Sequence, residues 1–259
     1  MNVLLIDGLN LIRRVCAAVR HGEEVSLDGV ATDACLASVR KLIHRQMPSH
    51  VMCVMESSGH SWRHDLYPQY KANRKTMEPA LQLLIKNIVE LFEKNYIKSV
   101  QLDGYEADDV IASIATRVAT AGGKVTIAST DKSFCQLIAD NVTLYDHFSS
   151  KVLDREYVRE RFGVTPEQLP DLFGLAGETG LNVPGVRSVG IRTAAKLITE
   201  FGTLESILIE AEKMKGHIGV KLRAGLEDAR LAQELLTLRS DLDLGLNIKD
   251  YRYCLDDHW

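Results

Sequence analysis

The sequence predicts an α/β chain, with a mostly parallel central sheet flanked by helices and a helical region after it. Three observations predict this. Short, largely apolar runs rich in branched residues (3–6, 51–55, 125–128) alternate with helical patterns through the first half. Such runs suit central parallel strands, which are buried on both faces. Carboxylates stand at the ends of these runs, and beyond about residue 155 the pattern turns helical, punctuated by Gly and Pro.

Each element follows from its own pattern. After the first strand, Leu9, Ile12, Val15 and Val19 recur at helical spacing, and a second helix covers about 30–44. Residues 51–55 form the next strand, and 81–92 a helix with Leu84, Ile85, Ile88 and Leu91 on one face. The run 97–102 is strand-like, 110–118 helical, 125–128 a strand, 134–138 a short helix and 142–145 a strand. Residues 57–77 break the rhythm, being rich in Gly, Pro, aromatics and bases; a connection of that length is usually functional. Later helices are expected at 157–162, 166–175, 191–201 and 204–211, with 223–238 the longest, and the tail 242–259 has no clear pattern. The division this suggests is an α/β domain, 1–155, and a helical region, 156–259.

Composition narrows the function. At 259 residues and 46% apolar, the chain can build a sizeable core. A net charge of −4 makes any nucleic-acid surface a local patch. The five cysteines are odd in number with no CxxC, which suits reduced, buried thiols and a cytoplasmic protein rather than a disulfide framework or zinc site. No signal peptide and no apolar run of about 20 residues are visible, so no membrane span is expected.

The run Glu106-Ala107-Asp108-Asp109 carries the chemistry. Acids at a helix N-terminus can serve as a cap, but Asp7, Glu56 and Asp131 also end apolar runs. In an open parallel sheet, ligands sit outside the carboxyl ends of the strands. Acids from several strands would converge there and repel unless a cation lay between them, and hard oxygen donors suit Mg²⁺, or Mn²⁺. Asp108 and Asp109 cannot point the same way on a helix, so one is expected to ligate directly and the other through water. A metal held this way activates water and neutralises phosphate charge.

Two basic segments fit that chemistry. Residues 61–75 hold Arg63, Lys71, Arg74 and Lys75 against one acid, Asp65, interleaved with Trp62, Tyr67 and Tyr70. Bases with aromatics suit single-stranded nucleic acid, unless the aromatics pack on the body. Further on, NVPGVRSVGIRTAAKLI (182–198) reads as a tight turn between two helices, a helix-hairpin-helix over 175–201. Gly185 and Gly190 permit close approach, the amides opening the second helix form a phosphate site, and Arg187, Arg192 and Lys196 add charge. Such an element grips a duplex backbone without reading sequence. Residues 213–230 carry five bases and two acids, which a solvated helix face explains.

These residues, in this order, resemble the 5′ nuclease (flap endonuclease) family over about 2–238. The matches are YKANR (70–74), EADD (106–109), TDK (130–132), NVPGV (182–186) and GIRTA (190–194). The resemblance implies a PIN-like 5′ nuclease fold and Mg²⁺-dependent cleavage of branched DNA with a 5′ flap. It places Asp7, Glu56, Glu106, Asp108, Asp109 and Asp131 at a first metal site, and Lys71 and Arg74 beside the scissile phosphate, with Asp108 central to catalysis. It implies a K⁺ ion on the carbonyls of Leu175, Ala176, Pro184, Val186 and Val189. DNA is expected on Arg63, Tyr70, Lys71 and Arg74, and on Ser188, Val189, Gly190, Ile191, Arg192, Thr193 and Lys196. The partner implied is flapped duplex DNA, and a monomer is the default expectation. The chain departs from the family pattern at Glu56, where Asp is usual, and at Ser133, where an acid is usual. The usual GDxSDNxPG reads GETGLNVPG: Glu178 keeps one acid of a second metal site and Leu181 removes another. Ser188 replaces a hairpin Gly. A DNA-binding protein that kept the grip and lost the chemistry, and a PIN-like ribonuclease, are the rival readings.

Overall fold

The computed structural model describes residues 1–20, 27–57 and 59–254. Strands β1 (Asn2–Asp7), β2 (His50–Val54), β3 (Lys98–Val100), β4 (Lys124–Ala128), β5 (Val142–Asp146) and β6 (Lys151–Leu153) form one sheet in the order β3-β2-β1-β4-β5-β6. The first five are parallel and β6 is antiparallel to β5. The strand order reverses direction between β1 and β4, which makes the carboxyl ends of those strands the expected ligand crevice.

Alternation along β1 explains the layers. Leu4 and Ile6 face helices α1 (Gly8–Arg20) and α2 (Leu27–Gln46), together with α4 (Pro79–Lys94). Val3 and Leu5 face α5 (Ala107–Thr120) and much of the C-terminal half. All four side chains are fully buried, which is why this strand reads as a continuous apolar run. Between β2 and α4 lies the short helix α3 (Trp62–Leu66).

The C-terminal half comprises α6 (Arg155–Phe162), α7 (Leu169–Ala176), α8 (Ile191–Phe201), α9 (Leu204–Ala211), α10 (Gly216–Ala224) and α11 (Leu226–Leu236). One core cluster joins β1 and β4 to α7, α8 and α9, so these helices cover the sheet.

Several expectations need correction. The helix expected at 223–238 is two helices interrupted at Gly225; apolar periodicity continues across the break and hides it. The short helices expected at 134–138 and at the start of 166–175 are 3₁₀ turns, Ser133–Leu137 and Pro166–Gln168. Strand β6 escaped notice because it is three residues long with two of them exposed. The tail returns to the sheet: Tyr253 N–H donates to Ser49 O at 3.0 Å, and Arg252 bridges to His50. Residues 255–259 lie outside the described part. Cys16, Cys35, Cys53 and Cys135 are buried, and burial pushes the Cys35 and Cys53 thiols up to about 12.

Candidate active site

Five acids gather at the carboxyl edge of the sheet. Asp7 ends β1, Glu56 follows β2, Glu106 and Asp108 open α5, and Asp131 follows β4. Burial raises the Asp108 carboxyl well above its ordinary range, and Asp131, Asp7, Glu106 and Glu56 each push it further. Burial likewise raises Asp7 to about 6, with added repulsion from Asp131 and Glu56 and partial relief from hydrogen bonds. Glu56 is raised by burial, against the pull of Lys71. Mutual repulsion among acids from four strand ends is the signature of a shared site.

The capping explanation fails for Glu106. This residue occupies the N-cap of α5, yet its side chain makes no capping bond. Glu56 caps the helix instead, its Oε2 accepting from the Ala107 N–H at 3.1 Å. The buried Glu106 carboxylate turns instead to three donors. Lys71 Nζ lies 2.6 Å from Oε1, Tyr70 Oη donates to Oε2 at 3.0 Å, and Arg63 Nη1 is 3.2 Å from Oε2. Lys71 Nζ is also 3.9 Å from Glu56, so its ammonium lies beside both acids.

The other acids are positioned by short polar relays. Ser129 donates to Asp7 Oδ2 at 2.7 Å while its Oγ accepts the Asp131 N–H at 3.0 Å. Asp131 Oδ1 accepts the Ser133 N–H at 2.8 Å. Asn10 donates its backbone N–H to Asp7 Oδ1 and accepts from Thr130. Sequence reasoning missed Ser129 and Asn10; both sit within three residues of an acid, the one signal that could have flagged them.

The structure separates Asp108 from Asp109, as helix geometry required. Asp109 is fully buried, and Arg63 grips both its oxygens at 2.6 and 2.8 Å. Trp62 Nε1 and the Arg239 N–H complete its shell at 2.9 Å each. With four donors on its two oxygens, Asp109 has no lone pair left for a cation; its place at the metal site is corrected to a structural ion pair. Arg63, expected on DNA, is 2% exposed and also donates to the Leu235 carbonyl at 2.7 Å. Tyr70, expected on DNA, is 3% exposed. Both belong to the body because a buried carboxylate needs charged or hydroxyl donors close by. Trp62 is stacked by Arg239, whose Cζ lies 3.6 Å from the ring centre, a contact no sequence signal announced.

Glu178 spends a carboxylate oxygen on its own turn. It is exposed, and its Oε1 accepts from the Gly180 N–H at 3.0 Å, capping its own turn. Leu181 packs against Tyr67, Tyr70 and Val183 in a small apolar cluster.

The donors suit a hard divalent cation: all are carboxylate oxygens, held at strand ends and repelling one another. Among the described residues, no three His, Cys, Asp or Glu side chains close on one point. Glu106 is drawn instead to Lys71 and Tyr70.

The hairpin is built by close backbone contact. A Cβ on Gly185 would fall 2.3 Å from the Gly177 nitrogen and 2.6 Å from Leu175 O, so both turns require glycine. Val186 N–H donates to Leu175 O and Val189 N–H to Val186 O, each at 2.9 Å. Arg187, Ser188, Gly190, Arg192, Thr193 and Lys196 are exposed, Ile191 is half-buried and the Val189 side chain is buried. Ser188 adopts φ 61°, the left-handed conformation in which glycine is at ease.

Comparison with known proteins agrees with this arrangement. Residues 2–163 match the family model for the 5′-3′ exonuclease N-terminal resolvase-like domain, and 164–258 that for the 5′-3′ exonuclease C-terminal SAM fold. Curated relatives include flap endonuclease Xni of Photorhabdus laumondii, 38% identical over 97% of this chain and 98% of the relative. Flap endonuclease Xni of Colwellia psychrerythraea is 38% identical over 97% and 91%. Among solved structures, T5 5′-exonuclease with bound zinc superposes with a TM-score of 0.79 at 22% identity, covering 92% of this chain and 90% of that one. The catalytic core of Rad2 in complex with DNA substrate reaches 0.58 at 16% identity over 93% and 79%. No described helix is long and apolar enough to cross a membrane. A resolvase-like acid-edged sheet and a helical hairpin region, matched along nearly the whole chain, make this protein a member of the 5′-3′ exonuclease family.

Proposed function

We propose that the chain is a divalent-cation-dependent flap endonuclease and 5′-3′ exonuclease that hydrolyses phosphodiester bonds in flapped duplex DNA as a monomer. One observation carries the reading: five mutually repelling acids stand at the strand ends, two of them, Glu56 and Glu106, beside the ammonium of Lys71, in a chain whose hairpin exposes bases. The relatives' name, flap endonuclease Xni, supports the substrate.

Asp7, Glu56, Glu106, Asp108 and Asp131 would hold Mg²⁺ or Mn²⁺, which when bound supplies Lewis acidity and an activated water. The chain's own residues do the rest. Ser129 fixes Asp7 and Asp131 together, and Tyr70 fixes Glu106. Lys71 presents a positive charge over Glu56 and Glu106, where a phosphate oxygen can take it, with exposed Arg74 nearby on the same loop. Ser188, Val189 and the amides of Gly190, Ile191 and Arg192, with Thr193 and Lys196, would receive the duplex backbone at the start of α8. The carbonyls of Leu175, Ala176, Pro184, Val186 and Val189 would hold K⁺. The tight Gly177–Gly185 contact supports that assignment, because it leaves no room for a Cβ and so draws the two carbonyl-bearing segments together.

The test is cleavage of a labelled 5′-flap duplex. Mg²⁺-dependent release of the flap, lost in EDTA and on substituting matched RNA, is the expected result. Tight flap binding without cutting under any divalent ion would leave a binding protein instead.

A further inference from the structure

The turn that carries Leu181 makes a set of contacts with the basic loop. Thr179–Leu181 is a single 3₁₀ turn, pinned at its base by the reciprocal backbone bonds of Glu178 and Val183 at 2.9 and 3.0 Å. Three hydrogen bonds join this turn to the basic loop. Lys71 N–H donates to Leu181 O at 2.8 Å, Asn182 Nδ2 to Gln69 O at 2.7 Å, and Asn73 Nδ2 to Thr179 O at 2.9 Å. The Leu181 side chain adds apolar contact with the cluster of Tyr67 and Tyr70.

The two residues at the centre of the joint are both left-handed. Lys71 has φ 55° and Asn182 has φ 56°, a left-handed conformation that is unfavourable for lysine and milder for asparagine. Neither would persist without neighbours that hold it. Each is held by the other's segment. Lys71 is thus aimed at Glu56 and Glu106 by a bond from its own backbone to the hairpin side of the molecule.

We propose that residues 178–182 form a latch: Leu181, Asn182 and Asn73 are positioning residues that seat the basic loop and aim Lys71 at the acids. Because the same turn runs into Gly177 and Gly185, seating of the duplex on the hairpin is linked to the placement of Lys71. The proposal rests on the flap-nuclease reading for its catalytic consequence, though not for the latch itself.

Asn182→Gly keeps the left-handed backbone and removes the side-chain donor; Asn73→Ala removes the reciprocal one. The double variant is compared with wild type in three measurements. These are single-turnover flap cleavage with Mg²⁺, flap affinity with Ca²⁺, and tryptic nicking after Lys71, Arg74 and Lys75 in the free protein. The latch predicts faster nicking, affinity within about twofold, and a cleavage rate at saturation lower by on the order of 10–100-fold, as misplacement near 1 Å can cost. Unchanged nicking and rate would overturn it, as would weakened affinity with an unchanged rate at saturation. Leu181→Asp separates the latch from a latent cation site. The latch predicts faster nicking and slower cleavage, and a gain in Mg²⁺-dependent rate would overturn it. If wild type does not cut at all, the flap-nuclease reading fails, while the nicking comparison still decides the latch.

Discussion

The carboxylate floor and the hairpin turn lie on either side of the basic loop and are held by opposite means. On the floor, acids are kept close despite repulsion, and burial with neighbouring charge raises Asp7 and Asp108. At the turn, Leu181 packs against an apolar cluster that includes Tyr70, and Glu178 caps its own backbone. One region stores electrostatic strain that a cation can relieve. The other is held by packing and hydrogen bonds. The difference teaches that catalytic potential in this chain is concentrated at the strand ends, while the turn contributes placement.

The sharpest way to break this contrast is to remove charge from the floor. Asp108→Asn should lower single-turnover flap cleavage on the order of 10³-fold, the several kcal/mol a lost metal ligand removes, with flap affinity in Ca²⁺ little changed. Lys71→Met should cost on the order of 10²–10³-fold in the same assay, the effect of deleting one charge-stabilising donor. If either variant kept its activity, the floor would not be the seat of chemistry.

A second prediction concerns what holds the floor rigid. Arg63→Met leaves Asp109 buried and unpaired, which should destabilise the fold by about 3–5 kcal/mol in denaturant unfolding. Pairing it with Asp109→Leu should restore much of that loss, since removing both members of a buried pair is far cheaper than removing one.

The third follows from linkage. Asp7 titrates at about 6 in the folded chain against 3.8 for the ordinary group, so protonation favours the folded state. That contribution is present at low pH and lost as pH rises through about 6. Metal-free protein should therefore melt higher at about pH 5.5 than at about pH 7.5, by about 2–4 °C for each kcal/mol recovered. Saturating Mg²⁺ should flatten the dependence. A melting temperature that fell on acidification, with no effect of Mg²⁺ on the slope, would argue against a strained acid floor.

The smallest effect is on the hairpin. Lys196→Ala should weaken flap binding modestly and uniformly across sequences, reducing the slope of log affinity against log salt by about 0.9. A filter-binding or anisotropy series in salt reads it directly.

Much of this was legible in the sequence, for identifiable reasons. Buried parallel strands leave unbroken apolar runs, so the strands bearing Asp7 and Glu56 were visible with the acids at their ends. The hairpin showed itself through the glycines and bases of 182–198; of the two glycines singled out, Gly185 meets the Gly177 backbone, where no other residue fits, while Gly190 has open space beside it. The fates of Arg63 and Tyr70 were not legible. A basic, aromatic loop reads the same whether it faces DNA or packs inward, and the contacts that decide come from Asp109 and Glu106, 46 and 36 residues away along the chain. The Asn73 and Asn182 contacts cross still longer separations, 106 and 113 residues, and asparagine in a turn carries no mark of its partner. The break at Gly225 was hidden because apolar spacing ran through it.

The most direct test of the floor as the catalytic centre is single-turnover cleavage of a 5′-flap duplex with Mg²⁺, comparing wild type with Asp108→Asn at matched, saturating protein. The account predicts efficient cleavage by wild type and loss of it in the variant while both still bind the flap. Equal cleavage by both proteins would contradict it.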